Sequence, residues 1–505
     1  MNRVIASVCF WAAVAAAQPG RAPVYDVKSY GATGAGKIAD TGAINRAITA
    51  ANAAGGGTVY FPAGTYLSGS VRLKSNVTLY LDSGAVIQAS SDPQAYDEAE
   101  PNPSIDKYQD FGHSHWRNSL MWGENVENVA ILGQGLINGK GALTREADQR
   151  IANKAISLKL SRNVTIRDVS MLLCGHFAIL ATGVDNLTID NIKIDTNRDG
   201  IDVDASRNVR ISNVSVNSPW DDAIVLKASY GLGLFRDTSN VTITNCFVSG
   251  YDMGTLLDGT YQRHAAGAPD RGGPTGRIKL GTESSGGFKN ITISNCVFEY
   301  SRGLALETVD GGVLEDITIS NITMRDVVNS PIFLRLGRRM RSPEGTPIGQ
   351  LRRVNISDVV VYNADPRYAS LITGIPGHDI EDVKLNHIRL LYAGGGTREQ
   401  AAIVPPEGET EYPEPYRFGP MPAYGFFLRH VKGIELNDLE IGYLKQDLRP
   451  PFQLQDVDGA DFNNLKAQHA DQEPTFVLKD VRRFHTWHSS SGSDASLDEA
   501  GEKRL

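Results

Sequence analysis

The sequence predicts an all-β protein that winds into a right-handed parallel β-helix with a short N-terminal capping helix. Two observations support this prediction: a short phrase recurs along the chain, and β-rich runs without helical segments separate its copies. The clearest copies are Asn163-Val-Thr-Ile, Asn186-Leu-Thr-Ile, Asn208-Val-Arg-Ile, Asn240-Val-Thr-Ile and Asn290-Ile-Thr-Ile. The first intervals are 23 and 22 residues, a period typical of stacked supersecondary units.

Within each copy, apolar and polar side chains alternate, as expected for a strand with one face in a core. Later intervals are longer, which indicates loops inserted between coils. Because a solenoid grows by adding coils rather than separate cores, we expect residues 24–485 of the 505-residue chain to form a single domain.

The repeated Asn has two interpretations. Several copies lie in Asn-x-Ser/Thr, where they could accept N-linked glycans. Equivalent positions of successive coils, however, stack about 4.8 Å apart, and side-chain amides at that spacing can bond in a ladder. We favour the ladder because so many Asn share one phase of the repeat. Cys246 and Cys296 also share one phase, which is consistent with stacking inside the core.

The two ends of the domain carry different signals. From Thr41 to Ala54 apolar residues recur at helical spacing, and Asp40 or Thr41 can cap the helix start. Such a helix covers the open edge of a solenoid. Residues 489–505 are rich in Ser, Asp, Glu and Lys and predict a disordered tail, and residues 405–422 predict a long surface loop. The apolar face of the helix consists of Ile44, Ala47, Ile48 and Ala51.

Residues 1–17 have the pattern of a secretory signal peptide. Arg3 precedes an apolar stretch that ends at Ala15-Ala16-Ala17. This stretch is too short to stop in a bilayer, and no later segment is apolar for ~18 residues, so we expect no membrane insertion. The sequence predicts a secreted or periplasmic protein.

Charge and cysteine content narrow the possible partners. The net charge is −8, and −9 after loss of Arg3, so nucleic acid is not an expected partner. Once Cys9 leaves with the signal peptide, Cys174, Cys246 and Cys296 form neither a disulfide framework nor a metal motif. We therefore expect free buried thiols, no metal and no cofactor, in a monomer.

An acidic cluster lies within the repeat. Asp199, in Asn197-Arg-Asp-Gly, precedes Asp221 by 22 residues, one coil, and Asp222 follows directly. Stacking would crowd three carboxylates, and their repulsion raises the pKa of at least one of them. A protonated acid beside ionised carboxylates is what glycoside hydrolysis requires. The competing interpretation is structural, because Asp-Gly and Asp-Asp are common turn residues.

Three stretches of the chain together carry a resemblance. The first runs from Tyr25-Asp-Val-Lys-Ser-Tyr-Gly-Ala to Gly56-Gly-Thr-Val-Tyr-Phe-Pro-Ala-Gly-Thr-Tyr; the second is Asn197-x-Asp199-Gly with Asp221-Asp222; the third is Gly281-Thr-Glu-Ser-Ser-Gly-Gly. They resemble glycoside hydrolase family 28, the polygalacturonase family. The first stretch is shared with other β-helix proteins, so it supports the fold more than the activity.

The resemblance implies an inverting hydrolase of galacturonate- or rhamnogalacturonan-type pectic polysaccharide or oligosaccharide, with residues 24–485 as its catalytic domain. It makes Asp221 the general acid, while Asp199 and Asp222 hold and deprotonate the water. Inversion requires acid and base roughly 6.5–9.5 Å apart. The residues expected to bind substrate are Asn197, Asp202, Lys227, Glu283, Glu307, Arg277 and His176.

The chain departs from the family pattern at two places. Thr275 stands where the family has a histidine, and His176, one coil before the acids, is a candidate replacement. Ala305 and Glu307 stand where the family has the Arg-x-Lys pair that grips a uronate carboxylate. A buried carboxylate without a cation is costly. Either other cations bind the uronate, or this subsite takes a neutral sugar.

Several cations are candidates for that role, and each has solvated loop charge as its competing interpretation. They are Arg263, His264, Arg271, Arg277, Lys279 and the arginines of residues 335–341. With a neutral sugar, Glu307 and Asp310 would instead bond hydroxyl groups, as in a rhamnogalacturonan-like or branched pectic substrate.

Two other function classes remain open. A polysaccharide lyase on this fold would bind calcium through the Asp cluster and use an Arg or Lys base. A non-catalytic carbohydrate-binding β-helix would need neither. Trp116 and Trp122 either stack on sugar rings or pack in the core. The inserted loop Gly250–Gly273 is a candidate for closing one end of the groove, which would favour exo attack.

Overall fold

The computed structural model describes residues 23–144, 152–264 and 273–505, so the predicted signal peptide lies outside the described residues. Successive coils contribute strands to three parallel sheets, which confirms the predicted parallel β-helix. In the described part of the chain, no helix is long and apolar enough to cross a membrane.

Short strands build the first half of the solenoid. The first sheet contains Val24–Asp26, Gly57–Phe61, Val77–Leu81, Glu127–Leu132, Arg162–Arg167, Asp185–Asp190, Arg207–Ser212 and Thr238–Thr244. The second sheet contains Ala35–Ala39, Gly64–Ser68, Ala85–Ala89, Leu136–Asn138, Ser170–Leu172, Lys193–Asp195, Ser215–Asn217 and Phe247–Ser249. The third sheet contains Val71–Arg72, Met121–Glu124, Lys154–Lys159, Phe177–Thr182, Asp199–Asp204, Ile224–Ala228, Ile278–Ser284, Leu304–Thr308, Ile332–Leu336 and Ser370–Thr373.

Long strands continue the first two sheets in the second half. They are Phe288–Glu299, Val313–Arg325, Gln350–Ala364 and Ile380–Gly394, followed by Phe426–Lys445, Phe452–Ala467 and Phe476–Trp487, which begin in the third sheet. The α-helices are Thr41–Ala53, Pro103–Asp106 and Arg398–Ala401, and the 3₁₀ turns are Val27–Tyr30, Pro93–Ala95, Phe111–His113 and Pro415–Phe418.

Register stacks like side chains into columns that form the core. In the third sheet Ile179 pairs with Ile201, Ile201 with Ile224, and Ile224 with Ile278, and all four are fully buried. Burying each such side chain contributes about 1.5–3 kcal/mol, so each coil is held by its two neighbours.

The predicted asparagine ladder is confirmed. Asn163 Nδ2 donates to Asn128 Oδ1 at 3.0 Å, and Asn186 to Asn163 at 2.9 Å. The ladder continues through Asn208, Asn240 and Asn290. These residues have φ near +56°, a left-handed conformation that Asn tolerates better than other side chains. One residue type thus turns the corner and bonds adjacent coils.

The capping helix also matches its prediction, with Ile44, Ala47, Ile48 and Ala51 on the buried face. Asp40 takes the N-cap position, but its side chain makes no cap bond. Its carboxylate accepts instead from the backbone N–H groups of Thr33 and Gly34 and so ties the helix to the preceding turn.

The predicted disorder of residues 489–505 is wrong. Ala495–Arg504 forms a strand antiparallel to Phe476–Trp487, so the last coil has a paired edge. Polar composition concealed this strand, since Ala500 is its one buried apolar side chain and Leu497 is half-buried. Cys174, Cys246 and Cys296 are free and buried, as expected.

Candidate active site

The outer face of the third sheet carries charged side chains that are nevertheless buried. Its strands supply Asp199, Asp202, Asp204, Lys227, Lys279, Glu283 and Glu307. Loops from both halves of the chain cover these groups. The cost of burying so many charges is offset by pairing, and nearly every one has an opposite charge as a neighbour.

The three predicted catalytic acids come together. Asp199 opens strand Asp199–Asp204, while Asp221 and Asp222 lie in the turn before the next strand, and one carboxylate oxygen of each lies within 4.8 Å of the others. Ile201 pairs with Ile224, which sets Asp199 level with Asp222, whereas the spacing predicted Asp221 at that level. The expected acid–base separation of roughly 6.5–9.5 Å is therefore wrong for these oxygens, because adjacent parallel strands stand only about 4.8 Å apart.

Crowding separates the protonation states of two of these acids. Burial, together with the neighbouring Asp221, raises the pKa of Asp199 well above its usual value. Burial acts in the same direction on Asp221, but the adjacent guanidinium of Arg198 outweighs it and lowers the pKa of that carboxyl. Arg198 Nε donates to Asp221 Oδ2 at 2.8 Å. In this arrangement Asp199 binds a proton more tightly than Asp221 does, the reverse of the roles that the resemblance implied.

Asp222 lies between two cations. Arg277 Nε donates to its Oδ1 at 2.7 Å, and Lys279 Nζ lies 3.3 Å from its Oδ2. Lys279 also lies 3.6 Å from Glu307 and pairs in register with Ala305. Lys279 thus stands one coil before Ala305, the first position of the expected family pair, and Arg277 precedes Lys279 by two residues.

A segment distant in sequence completes this network. Glu414, in the loop predicted from residues 405–422, accepts from Arg277 Nη2 at 2.6 Å and lies 2.9 Å from Arg302 Nη1. Tyr412 of the same loop shares a 3.1 Å hydrogen bond with Thr282 Oγ1. The loop lies over the third sheet, and neither residue was found by sequence reasoning, because nothing in the local composition points to a site 137 residues earlier.

Glu307 is a fully buried carboxyl of this network. Burial raises its pKa to about 7, although Lys279 and Arg277 act in the opposite direction. Its Oε2 accepts from Thr282 Oγ1 at 3.1 Å, whereas its Oε1 has no hydrogen-bond partner among the described residues.

Lys227 organises a second group of predicted residues. Its Nζ lies 2.9 Å from Asp202, 3.5 Å from Glu283 and 3.8 Å from Asp199. It also contacts His113, a residue that sequence reasoning missed. The ammonium therefore occupies the space between His113, Asp199 and Asp202 that a metal ion would need.

Two other predicted binding residues have mainly structural contacts. Asn197 Oδ1 accepts from the backbone of Gly175 at 2.8 Å, so its amide holds a turn. His176 is buried with Nδ1 3.2 Å from Arg198 Nη1, and burial and that guanidinium hold its pKa well below the usual value. A neutral His176 beside Arg198 positions the partner of Asp221.

Several cations that the sequence suggested for uronate binding lie away from the acids. Arg263 pairs with Glu299 and Asp326, and Arg335 donates to the carbonyls of Glu407 and Gly408. His264 pairs with Asp252, and Arg271 lies outside the described residues.

Both tryptophan side chains form hydrogen bonds within the protein. Trp116 is fully buried and donates to Thr182, and Trp122 donates to Asp97. The packing interpretation is the one that these contacts support.

Comparisons with known proteins agree with the β-helix fold. The family described as rhamnogalacturonase A/epimerase, pectate lyase-like matches residues 24–171, and the right-handed β-helix region matches residues 144–260. A probable polygalacturonase of Vitis vinifera is 24% identical over 80% of this chain and 82% of its own. The chain is thus similar in sequence to polygalacturonases over most of its length. The predicted resemblance and fold class are confirmed.

Solved structures show the same fold. The family 28 exopolygalacturonase of Yersinia enterocolitica superposes with a TM-score of 0.62 at 17% identity, over 94% of this chain and 80% of its own. The exopolygalacturonase of Thermotoga maritima gives 0.59 at 17% identity, over 96% and 95%.

Proposed function

We propose that this protein is an inverting glycoside hydrolase that cleaves a pectic glycan with Asp199, Asp221 and Asp222. The observation that carries the proposal is the meeting of these three carboxyls on adjacent coils, where the pKa of Asp199 is raised and that of Asp221 is lowered. That combination supplies both the proton for a leaving oxygen and a base for water.

The proton is shared within a coupled pair. In the proposed mechanism Asp199 and Asp221 share one proton in the free enzyme, and Asp199, whose pKa is raised, binds it more tightly. This proton is delivered to the leaving oxygen. Asp222, oriented by Arg277 and Lys279, deprotonates the attacking water.

The close spacing makes stereochemistry a decisive measurement. Carboxyls about 5–5.5 Å apart are typical of retaining enzymes, whereas inverting enzymes usually have a wider gap. We propose inversion because three acids are present and two of them can hold a water. Proton NMR of the first product anomer tests this, and initial release of the retained anomer would refute it.

A lyase is the weaker alternative. A lyase would need a neutral Lys or Arg to remove a proton, but neighbouring carboxylates outweigh burial and raise the pKa of Lys227 and Lys279 well above the usual value. Both lysines stay protonated and cannot act as bases. Products with no ultraviolet-absorbing unsaturated end are expected.

The charge pattern favours a neutral sugar beside Glu307. Each neighbouring cation already contacts a carboxylate of the protein: Arg198–Asp221, Lys227–Asp202, Arg277–Asp222, Lys279–Glu307, Arg302–Glu414 and Arg339–Asp310. A uronate here would add a further negative charge that these cations would have to share with the protein's own carboxylates. Digestion of polygalacturonic acid and rhamnogalacturonan oligosaccharides, with identification of the released sugar, distinguishes the two substrate types.

Asp222→Asn tests the enzymatic assignment. We expect turnover to fall by more than 1000-fold while binding of the best oligosaccharide changes little, because the amide keeps the size but loses the basic oxygen. The matched control is Asp190→Asn, which should remain active. Asp190 lies on the first sheet, where its carboxylate accepts a hydrogen bond from Ser212. Unchanged product release from Asp222→Asn would show that Asp222 is not the catalytic base.

We also propose that the protein is secreted or exported to the periplasm and that it is a monomer.

A further inference from the structure

We infer that the groove is closed on both sides of the acids, so that the enzyme removes sugars from a chain end and does not cut within a polymer. This inference rests on the proposed hydrolase function. Its basis is one column of outward-facing side chains on the third sheet, which register defines coil by coil. The column runs Leu180, Asp202, Val225, Lys279, Ala305, Phe333, Leu371 and Phe427.

The column is charged only in its middle. Asp202 and Lys279 lie beside the acids, whereas every position from Ala305 onward is apolar. Apolar side chains that point away from a core need a cover of their own. The two ends of the column have such covers.

The first cover is the loop that carries Glu414. Phe418 and Met421 pack on Ala305, Phe333 and the later apolar members of the column as a separate hydrophobic cluster. Arg335 and Arg429 hold the loop by donating to the carbonyls of residues 405–408. A polymer therefore cannot continue along the sheet past Glu307.

The second cover is the loop that contains Phe111–His113. Trp116 packs on Phe177 and Leu180 in a further buried cluster, and its indole donates to Thr182 at 3.0 Å. His113 reaches from this loop to Lys227. The sheet is thus covered on the N-terminal side of Asp199 as well.

A third contact joins the loop after strand Ile332–Leu336 to the loop of the second cover. Arg341 Nη1 lies 3.2 Å from Asp110 Oδ1, across 231 residues of sequence. Arg339, two residues earlier, pairs with Asp310 and Glu283. Between Leu180 and Ala305 there are four coil spacings, about 19 Å at 4.8 Å each, so the stretch of sheet between the two covers is short.

The loop Gly250–Gly273, suggested by sequence for closing the groove, is described only as far as residue 264 and again at Gly273. In its described part, Leu256 and Leu257 donate to Asp195 of the second sheet, and Arg263 pairs with Glu299. At its end, the carbonyl of Gly273 accepts from Arg302, the partner of Glu414 in the first cover.

The product pattern tests the inference directly. Polygalacturonic acid and rhamnogalacturonan are each digested while viscosity and reducing ends are followed together, and products are separated by size. We expect reducing ends to rise with little loss of viscosity, and a single small product from the first minutes. A rapid fall in viscosity with a ladder of intermediate oligomers would overturn the inference and leave the hydrolase proposal intact. Absence of any hydrolysis would overturn the hydrolase proposal itself and with it this inference.

Opening the first cover gives a second test. Phe418→Ala removes its anchor, and we expect intermediate oligomers to appear at least tenfold above the wild-type level. Tyr362→Ala, an exposed tyrosine of strand Gln350–Ala364, is the control and should keep the single-product pattern. A folded Phe418→Ala protein, with wild-type Tm and an unchanged product pattern, would show that this loop does not limit the substrate.

Discussion

At the scale of single residues, the site works through the unequal environments of similar groups. Asp199 and Asp221 are adjacent carboxyls in different environments. Burial and a like charge dominate at Asp199, whereas the guanidinium of Arg198 dominates at Asp221. Sequence reasoning found all three acids, because their spacing matches a coil. It missed which one holds the proton, because that depends on the direction of one guanidinium.

Arg198→Gln tests this division of charge. Removing the cation raises the pKa of Asp221, so the acidic limb of the kcat/KM profile should move to higher pH by about one unit. Arg198→Lys keeps the charge and should shift the limb less. A shift of the basic limb alone would indicate that Asp221 carries the catalytic proton, as the family resemblance implied.

Glu307 links protonation to stability. Its folded pKa of about 7 exceeds the usual 4.5, so the folded state binds the proton more tightly than the unfolded state does. Stability from this group is present below about pH 4.5 and is lost as the pH rises through 7. Two and a half units correspond to roughly 3 kcal/mol at most.

Glu307→Gln should therefore flatten the pH dependence of stability. We expect the loss of Tm between pH 5 and pH 8 to be smaller in the variant than in the wild type. Glu315→Gln is the control, because Glu315 is a carboxyl whose pKa is lowered, although burial opposes this, by arginines of the next coil. An equal loss of Tm in wild type and Glu307→Gln would show that Glu307 ionises freely.

At the scale of the elements, the corner asparagines join two functions in one side chain. Sequence periodicity predicted the ladder, since amide side chains at one phase of a repeat must stack. The left-handed backbone at each rung was not predicted, although it gives a physical reason for Asn at this position.

Asn208→Ala and Asn208→Gly should differ in how much they destabilise the protein. The alanine variant loses the bonds to Asn186 and Asn240 and keeps the unfavourable φ of 57°, so we expect about 2–3 kcal/mol of destabilisation. Glycine loses the bonds but tolerates the backbone, so it should cost about half as much. Urea denaturation measures both, and equal losses would assign the whole effect to the amide bonds.

At the scale of the whole molecule, contacts between distant segments could not be predicted from the sequence. The repeat predicted the sheets and the acid cluster, because both depend on local spacing. The covers of the pocket and the C-terminal strand depend on pairing between segments that share no motif, such as Arg277 with Glu414.

Deleting residues 489–505 tests the role of the last strand. Without it, Phe476–Trp487 presents an unpaired edge, and such edges promote aggregation. We expect a Tm lower by several degrees and concentration-dependent association in light scattering. Glu502→Gln, an exposed position in the same strand, should behave as wild type, and a monodisperse truncated protein of unchanged Tm would contradict the prediction.

The bond between Arg341 and Asp110 has a consequence for the order in which the protein matures. As the chain folds from its N-terminus, each new coil can stack on the coil before it. The loops around the acids stay incomplete, however, until Arg341 is in place, and Arg277 cannot bond to Glu414 until that loop has folded. A partly folded chain therefore has its catalytic carboxyls long before it has a complete enclosure, and activity is expected only after the C-terminal half has folded.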